Sequence, residues 1–189
     1  ARLMFLQIHH IFDELKRRNL FLATAESLTG GLIAKYITDI PGASAVFWGG
    51  WVTYSVEAKQ HILNVPAEVL EGFGVVSIET AAAMARGALT IASDSSGRHG
   101  YALAVTGLAG PAGGTPQLPV GTVCIACAGN EHTSSVYSEK YLFSGTRDAI
   151  REQTYTAAMQ MLLQQLNGIH HNQSSYDNPL DKIKNKKVE

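Results

Sequence analysis

The stretch TAESLTGGLIAKY (Thr24–Tyr36) sets a glutamate, a serine, a threonine and two glycines between a short apolar run and an amphipathic segment. A strand–turn–helix corner of this kind aims backbone N–H groups at one spot, where a nucleophile or a phosphate can sit. Ser27 is the candidate nucleophile, and Gly30 and Gly31 leave the backbone bare for a substrate to approach. The plainer reading of the same residues is a helix N-cap by Ser27 or Thr29. Lys59, in YSVEAK, is the second candidate: a lysine at the start of a helix is either a solvated surface residue or an amine recruited as a base. The third is TGLAGPAGGTP (Thr106–Pro116), with four glycines and two prolines in eleven residues directly after an apolar strand. Such a loop is either a plain crossover or a functional wall.

Several familiar chemistries have no residues here. The sequence contains no G-x-x-x-x-G-K-[ST], no H-E-x-x-H and no G-x-S-x-G. None of the seven histidines stands beside an acid in a recognisable motif, so a base for Ser27 is not expected to be imidazole. Cys124 and Cys127 form a C-x-x-C inside the strand-like run GTVCIACAG. Residues three apart on a strand point to opposite faces, so the sulfurs are expected to diverge into core positions. With no second cysteine pair, no zinc site is expected, and no metal or other cofactor is implied.

The elements that must position these residues follow from periodicity. Residues 3–18 read as an amphipathic helix, LFLATA as a short strand, and about Gly31–Thr38 as a helix. AVFWGGWVTYS reads as a strand with a glycine interruption or bulge at Gly49-Gly50, and Trp48 and Trp51 are expected in the core rather than at an interface. VEAKQHIL and PAEVLEGF follow as short helices. Ser77 then caps a strong helix to about Ala92, with Glu79 in its first turn. YALAVTG, GTVCIACAG and SSVYSEKYLF are strands, the last two joined as a hairpin. A helix from about Thr146 to Leu166 carries Arg147 and Arg151 on one face. Helices before, between and after the strands predict an α/β fold, three layers α/β/α with a mixed sheet covered by helices.

The chain of 189 residues is 46% hydrophobic and 16% charged, which predicts one globular domain over 1–167 with a polar, lysine-rich tail over 168–189. A formal net charge of −1 gives no electrostatic case for nucleic acid or an anionic membrane. No apolar run reaches the length of a membrane span, the first residues lack a signal-peptide pattern, and two cysteines make no disulfide framework. The cytoplasm is the expected compartment.

Singly these signals are weak; together they are specific. TAESLTGG, YSVEAK, TGLAGPAGGTPQLPVGTV and FSGTRDAIREQT occur in the order and approximate spacing of the C-terminal domain of the CinA (competence/damage-inducible) proteins, and residues 5–167 resemble that domain. The family includes stand-alone nicotinamide-nucleotide amidases, which convert nicotinamide mononucleotide and water to nicotinate mononucleotide and ammonia. The resemblance implies Ser27 as nucleophile and Lys59 as its base; Tyr54, close to Lys59 in the sequence, is expected to hold the amine or relay a proton. It implies a substrate site built from Thr29, Gly30, Gly31, Thr106, Gly107, Ala109, Gly110 and Arg147, with Arg147 as phosphate anchor. Backbone N–H groups around Thr29–Gly31 are expected to stabilise the oxyanion. A homodimer or higher homo-oligomer is implied too. Leu28 departs from the pattern, since the family usually has cysteine there, and is expected to change packing only. All matched motifs belong to the C-terminal domain, so activities tied to the larger N-terminal domain of full-length members are not carried over. Two alternatives stand beside the amidase: an inactive, nucleotide-binding member of the family, and an interaction module in DNA uptake or damage response.

Overall fold

The computed structural model describes residues 2–168, so the tail expected over 168–189 lies outside the described residues beyond Gly168. The chain order is α1 (Arg2–Arg17), β1 (Phe21–Glu26), α2 (Leu32–Thr38), β2 (Phe47–Val52), α3 (Val56–Leu63), α4 (Ala67–Phe73), α5 (Ile78–Ser96), β3 (Gly100–Gly107), β4 (Thr122–Gly129), β5 (Ser135–Leu142) and α6 (Arg147–Leu166). Local chemistry sets several of these boundaries. Ser55, Ser77 and Thr146 cap α3, α5 and α6, each side chain accepting the N–H three residues on. Helix α5 runs one turn beyond the expected Ala92 and stops at Gly97, whose φ of 64° is left-handed.

The five strands form one mixed sheet in the order β2-β1-β3-β4-β5. Strand β1 lies parallel to both β2 and β3, while β4 is antiparallel to β3 and to β5. Strands β1, β2, β3 and β5 therefore end at the same edge, and β4 starts there. The motifs singled out in the sequence all follow strand ends, so this topology gathers them at one edge. That edge is also where open α/β sheets bind ligands.

The two faces of the sheet differ in side-chain size. Leu22, Leu103, Val105, Val123, Ile125 and Cys127 pack against α1, α2 and α6. Ala23, Ala25, Ala102, Ala104, Ala126 and Ala128 line the opposite face, under α3, α4 and the alanine-rich α5. Small side chains on both partners let α5 sit close to the sheet. Gly87 continues this on the far side of α5: a Cβ there would lie 1.9 Å from the Leu63 carbonyl oxygen at the end of α3.

Cys124 and Cys127 fall in the opposite cores, as their spacing on β4 requires, and both are free thiols. Burial pushes the Cys124 thiol up to about 11 and Cys127 upward as well, which removes thiolate reactivity. The expectation for the two tryptophans needs correction. Strand β2 is an edge strand whose pairing with β1 shifts between Leu22 and Ala23, opposite Phe47 and Gly49. This irregularity brings Trp48 over Trp51, with ring centroids 5.2 Å apart, so Trp51 is half-buried against the core while Trp48 is exposed.

Candidate active site

Ser27 follows directly on β1, whose six residues are all buried. The parallel register pairs Glu26 with Val52, and the ladder continues one step as the Thr53 N–H donates to the Glu26 carbonyl at 2.8 Å. The Glu26 side chain turns the other way. Its carboxylate, 1% exposed, accepts the N–H groups of Ile33 and Ala34 at 2.9 and 3.0 Å and caps the start of α2 from five residues before the helix cap. These N–H groups are therefore occupied by a protein carboxylate, and the start of α2 is not an anion site.

Between β1 and α2 the chain makes a tight turn in which the Gly30 N–H donates to the Ser27 carbonyl at 3.1 Å. Gly30 and Gly31 have φ of 59° and 98°, left-handed values that favour glycine at this corner. Two expectations change here. The Gly30 N–H is occupied inside the turn, so it is not an oxyanion donor. The Thr29 side chain is fully buried, so any part Thr29 has at the surface is through its backbone. Leu28 is buried in the core against α1, α2 and α6.

Lys59 is not a surface lysine; it is fully buried. Its Nζ lies 3.1 Å from Ser27 Oγ, 2.7 Å from the Thr53 carbonyl and 3.3 Å from the Tyr54 carbonyl. Helix α3 doubles back after β2 and returns the amine to the two carbonyls that precede it. Loss of solvent lowers its pKa from 10.5 to about 8. As an ammonium the nitrogen has three donors for three acceptors. As a neutral amine it keeps both carbonyls and offers its lone pair to the Ser27 O–H. One geometry serves both protonation states.

The rim is built by other elements. Tyr54 is 63% exposed, and its hydroxyl lies 3.4 Å from Arg147 Nη2. Its part at Lys59 is played by the main-chain carbonyl, which corrects the expectation that the phenol holds the amine. Arg147, the first residue of α6, donates through Nη1 to the Gly110 carbonyl at 2.7 Å. Two of its five N–H groups thus brace the loop and Tyr54, and the others are available to an anion.

Thr106 is buried and donates to the Val75 carbonyl at 2.9 Å, tying the end of β3 to the segment before α5. Gly107 runs so close to β4 that a Cβ would lie 2.7 Å from the Thr122 carbonyl oxygen, and Ala109 is buried in the core. Thr106 and Ala109 are thus buried side chains at the base of the loop. Sequence reasoning did not single out Glu26, Thr53 or Arg151 as part of the site. Glu26 was inside the first motif, and Arg151 was legible as the residue one turn after Arg147. Thr53 acts through its carbonyl, for which no side-chain signal exists. Among the described residues, no group of three or more His, Cys, Asp or Glu side chains could hold a metal ion.

The fold and site define a three-layer α/β/α domain with a serine and a buried lysine paired at the carboxyl edge of its parallel strands. Residues 7–166 match the model of the CinA C-terminal domain, and the chain belongs to that family. It is 46% identical over 160 residues to a putative competence-damage inducible protein of Symbiobacterium thermophilum, covering 82% of this chain and 36% of that protein. It is 48% identical over 151 residues to a CinA-like protein of Geobacter sulfurreducens, covering 80% and 35% respectively. The chain thus spans about a third of the length of the curated relatives it matches. The crystal structure of the competence/damage inducible protein CihA from Agrobacterium tumefaciens superposes with a TM-score of 0.78 at 39% identity, covering 87% of this chain and 95% of that one. A CinA superfamily protein from Klebsiella pneumoniae gives 0.78 at 32% identity, covering 87% and 98%. Among the described residues no helix is long and apolar enough to cross a membrane.

Proposed function

We propose that this domain is an amidohydrolase that converts nicotinamide mononucleotide and water to nicotinate mononucleotide and ammonia. The observation that carries the reading is the 3.1 Å approach of Lys59 Nζ to Ser27 Oγ in a site where burial brings the amine down to about 8. A serine hydroxyl is a weak nucleophile until a base takes its proton, and a lysine can do so only when neutral. The substrate class comes from the family resemblance of the four motifs, supported by the cationic Arg147 on the rim.

In the reaction, neutral Lys59 accepts the Ser27 proton as Oγ attacks the carboxamide carbon. The tetrahedral intermediate carries its negative charge on the former carbonyl oxygen, for which the N–H groups of Leu28 and Thr29 are the candidate donors. Collapse breaks the C–N bond, and the Lys59 ammonium protonates the departing nitrogen as ammonia. Water then attacks the Ser27 ester with Lys59 again as base, releasing the carboxylate and restoring the serine. Arg147 holds the phosphate through the N–H groups not taken by Gly110 and Tyr54.

The test is incubation of purified protein with nicotinamide mononucleotide, reading ammonia and nicotinate mononucleotide together, with Ser27→Ala as the blank. No release above that blank from neutral to alkaline pH would remove the reading.

A further inference from the structure

We propose that Arg151 is a positioning residue for the nucleophile turn, an assignment that rests on Ser27 being the nucleophile. The turn is soft by composition: two consecutive glycines with left-handed φ close it, and glycine lets a peptide plane flip at little cost. Arg151, from the second turn of α6, supplies the restraint that the local sequence lacks. Its Nη2 donates to the Thr29 carbonyl at 2.7 Å, across a separation of 122 residues. The same carbonyl accepts the Leu32 N–H at 3.1 Å, while the N–H of the same peptide unit, on Gly30, donates to the Ser27 carbonyl at 3.1 Å. A peptide's C=O and N–H lie in one plane and point in opposite directions. Bonds at both ends therefore block rotation of the Thr29–Gly30 unit, and the bond from a cation is the strongest of them.

Two further observations separate Arg151 from an ordinary surface arginine. The acidic side chain paired with it among the described residues, Asp148, is 3.9 Å away and 91% exposed, so solvent screens that pair and the guanidinium is held by the turn instead. Its Nε is buried with no hydrogen-bond partner among the described residues. Ser27 opens the turn that Arg151 holds. Flipping the Thr29–Gly30 peptide would break the bond from the Gly30 N–H to the Ser27 carbonyl, which closes the turn behind the nucleophile.

The experiment compares wild type, Arg151→Ala and Arg151→Lys on nicotinamide mononucleotide and on its riboside. It also measures the rate at which a fluorophosphonate probe labels Ser27. In that labelling Oγ bonds to phosphorus, fluoride leaves, and the serine proton passes to Lys59. Arg151→Ala is expected to lower kcat on the order of a hundredfold on both substrates with little change in KM, because misplacing a reacting group costs rate rather than binding. Probe labelling slows in parallel. Arg151→Lys, which keeps one cationic donor, recovers most of both losses. A kcat within about threefold of wild type with unchanged labelling would overturn the assignment. So would a loss confined to the phosphorylated substrate, which would make Arg151 a phosphate ligand. A fall that only tracks loss of folded protein by circular dichroism, unrelieved in Arg151→Lys, overturns it too. Wild-type protein that takes the probe on Ser27 yet leaves the mononucleotide intact would remove the substrate while the labelling rates still decide on Arg151.

Discussion

Lys59 Nζ lies closer to the Thr53 carbonyl, at 2.7 Å, than to Ser27 Oγ, at 3.1 Å. The amine is thus held by backbone that does not change when the serine is replaced. Ser27→Ala is expected to stop turnover, by about a thousandfold or more, with the fold and most substrate binding retained. Ammonia release, circular dichroism and substrate titration on the same preparation check this. Turnover near the wild-type rate would take Ser27 out of the mechanism.

The lowered pKa of Lys59 fixes the sign of two pH effects. A base must be neutral to work, so activity is expected to rise with pH through about 8. Lys59→Arg should be inactive at every pH, because a guanidinium keeps its proton. The stability effect has the same direction. Between about 8 and the ordinary 10.5 the unfolded chain binds a proton at this lysine that the folded one does not, so burial of Lys59 costs less as pH rises through that window. Wild type should gain Tm relative to Lys59→Met across it. Turnover and melting series over the same pH range measure both, and a folded, active Lys59→Arg would end the Ser–Lys mechanism.

Arg147 has one foot in the structure and one in the proposed substrate site. Its bonds to Gly110 and Tyr54 brace the rim, so Arg147→Ala is expected to lower activity modestly on any substrate. Beyond that shared loss, the Michaelis constant for nicotinamide mononucleotide should rise by about tenfold more than for the riboside, since only the former carries a phosphate. Michaelis–Menten series on both substrates read the difference. Equal losses would leave Arg147 a purely structural brace.

Gly87 reports on how α3 is seated. A methyl there would lie 1.9 Å from the Leu63 carbonyl oxygen, a backbone atom that no side-chain rotation can move aside. Gly87→Ala is therefore expected to destabilise the protein by about 1–3 kcal/mol despite alanine's better helix propensity. It should also lower kcat, because α3 carries Lys59. Denaturant melts and steady-state rates at a temperature where the variant remains folded test the two parts. A variant as stable as wild type would mean that α3 and α5 separate freely.

Local chemistry wrote much of this protein in its sequence. Periodicity marked the helices and strands within a few residues, because each buries one stripe or one alternating face. Ser77 announced the start of α5, and the spacing of Cys124 and Cys127 on a strand was enough to send their sulfurs into opposite cores. The motifs located the site, and Ser27 and Lys59 were legible as a pair only through the company of the other motifs. Their meeting across 32 residues was decided by the parallel register of β1 and β2, which brings the Thr53 carbonyl beside the end of β1 and returns α3 over it. Where each functional group points was decided the same way. Nothing in the sequence around Glu26 says that its carboxylate caps α2, or that Tyr54 serves Lys59 through its carbonyl while its phenol turns to Arg147. Arg151 reaches Thr29 from α6 because β5 ends at the same edge of the sheet as β1. Residue types set what chemistry was available, and long-range packing set which atoms face one another, since backbone carbonyls and side-chain directions carry no mark in a one-dimensional sequence.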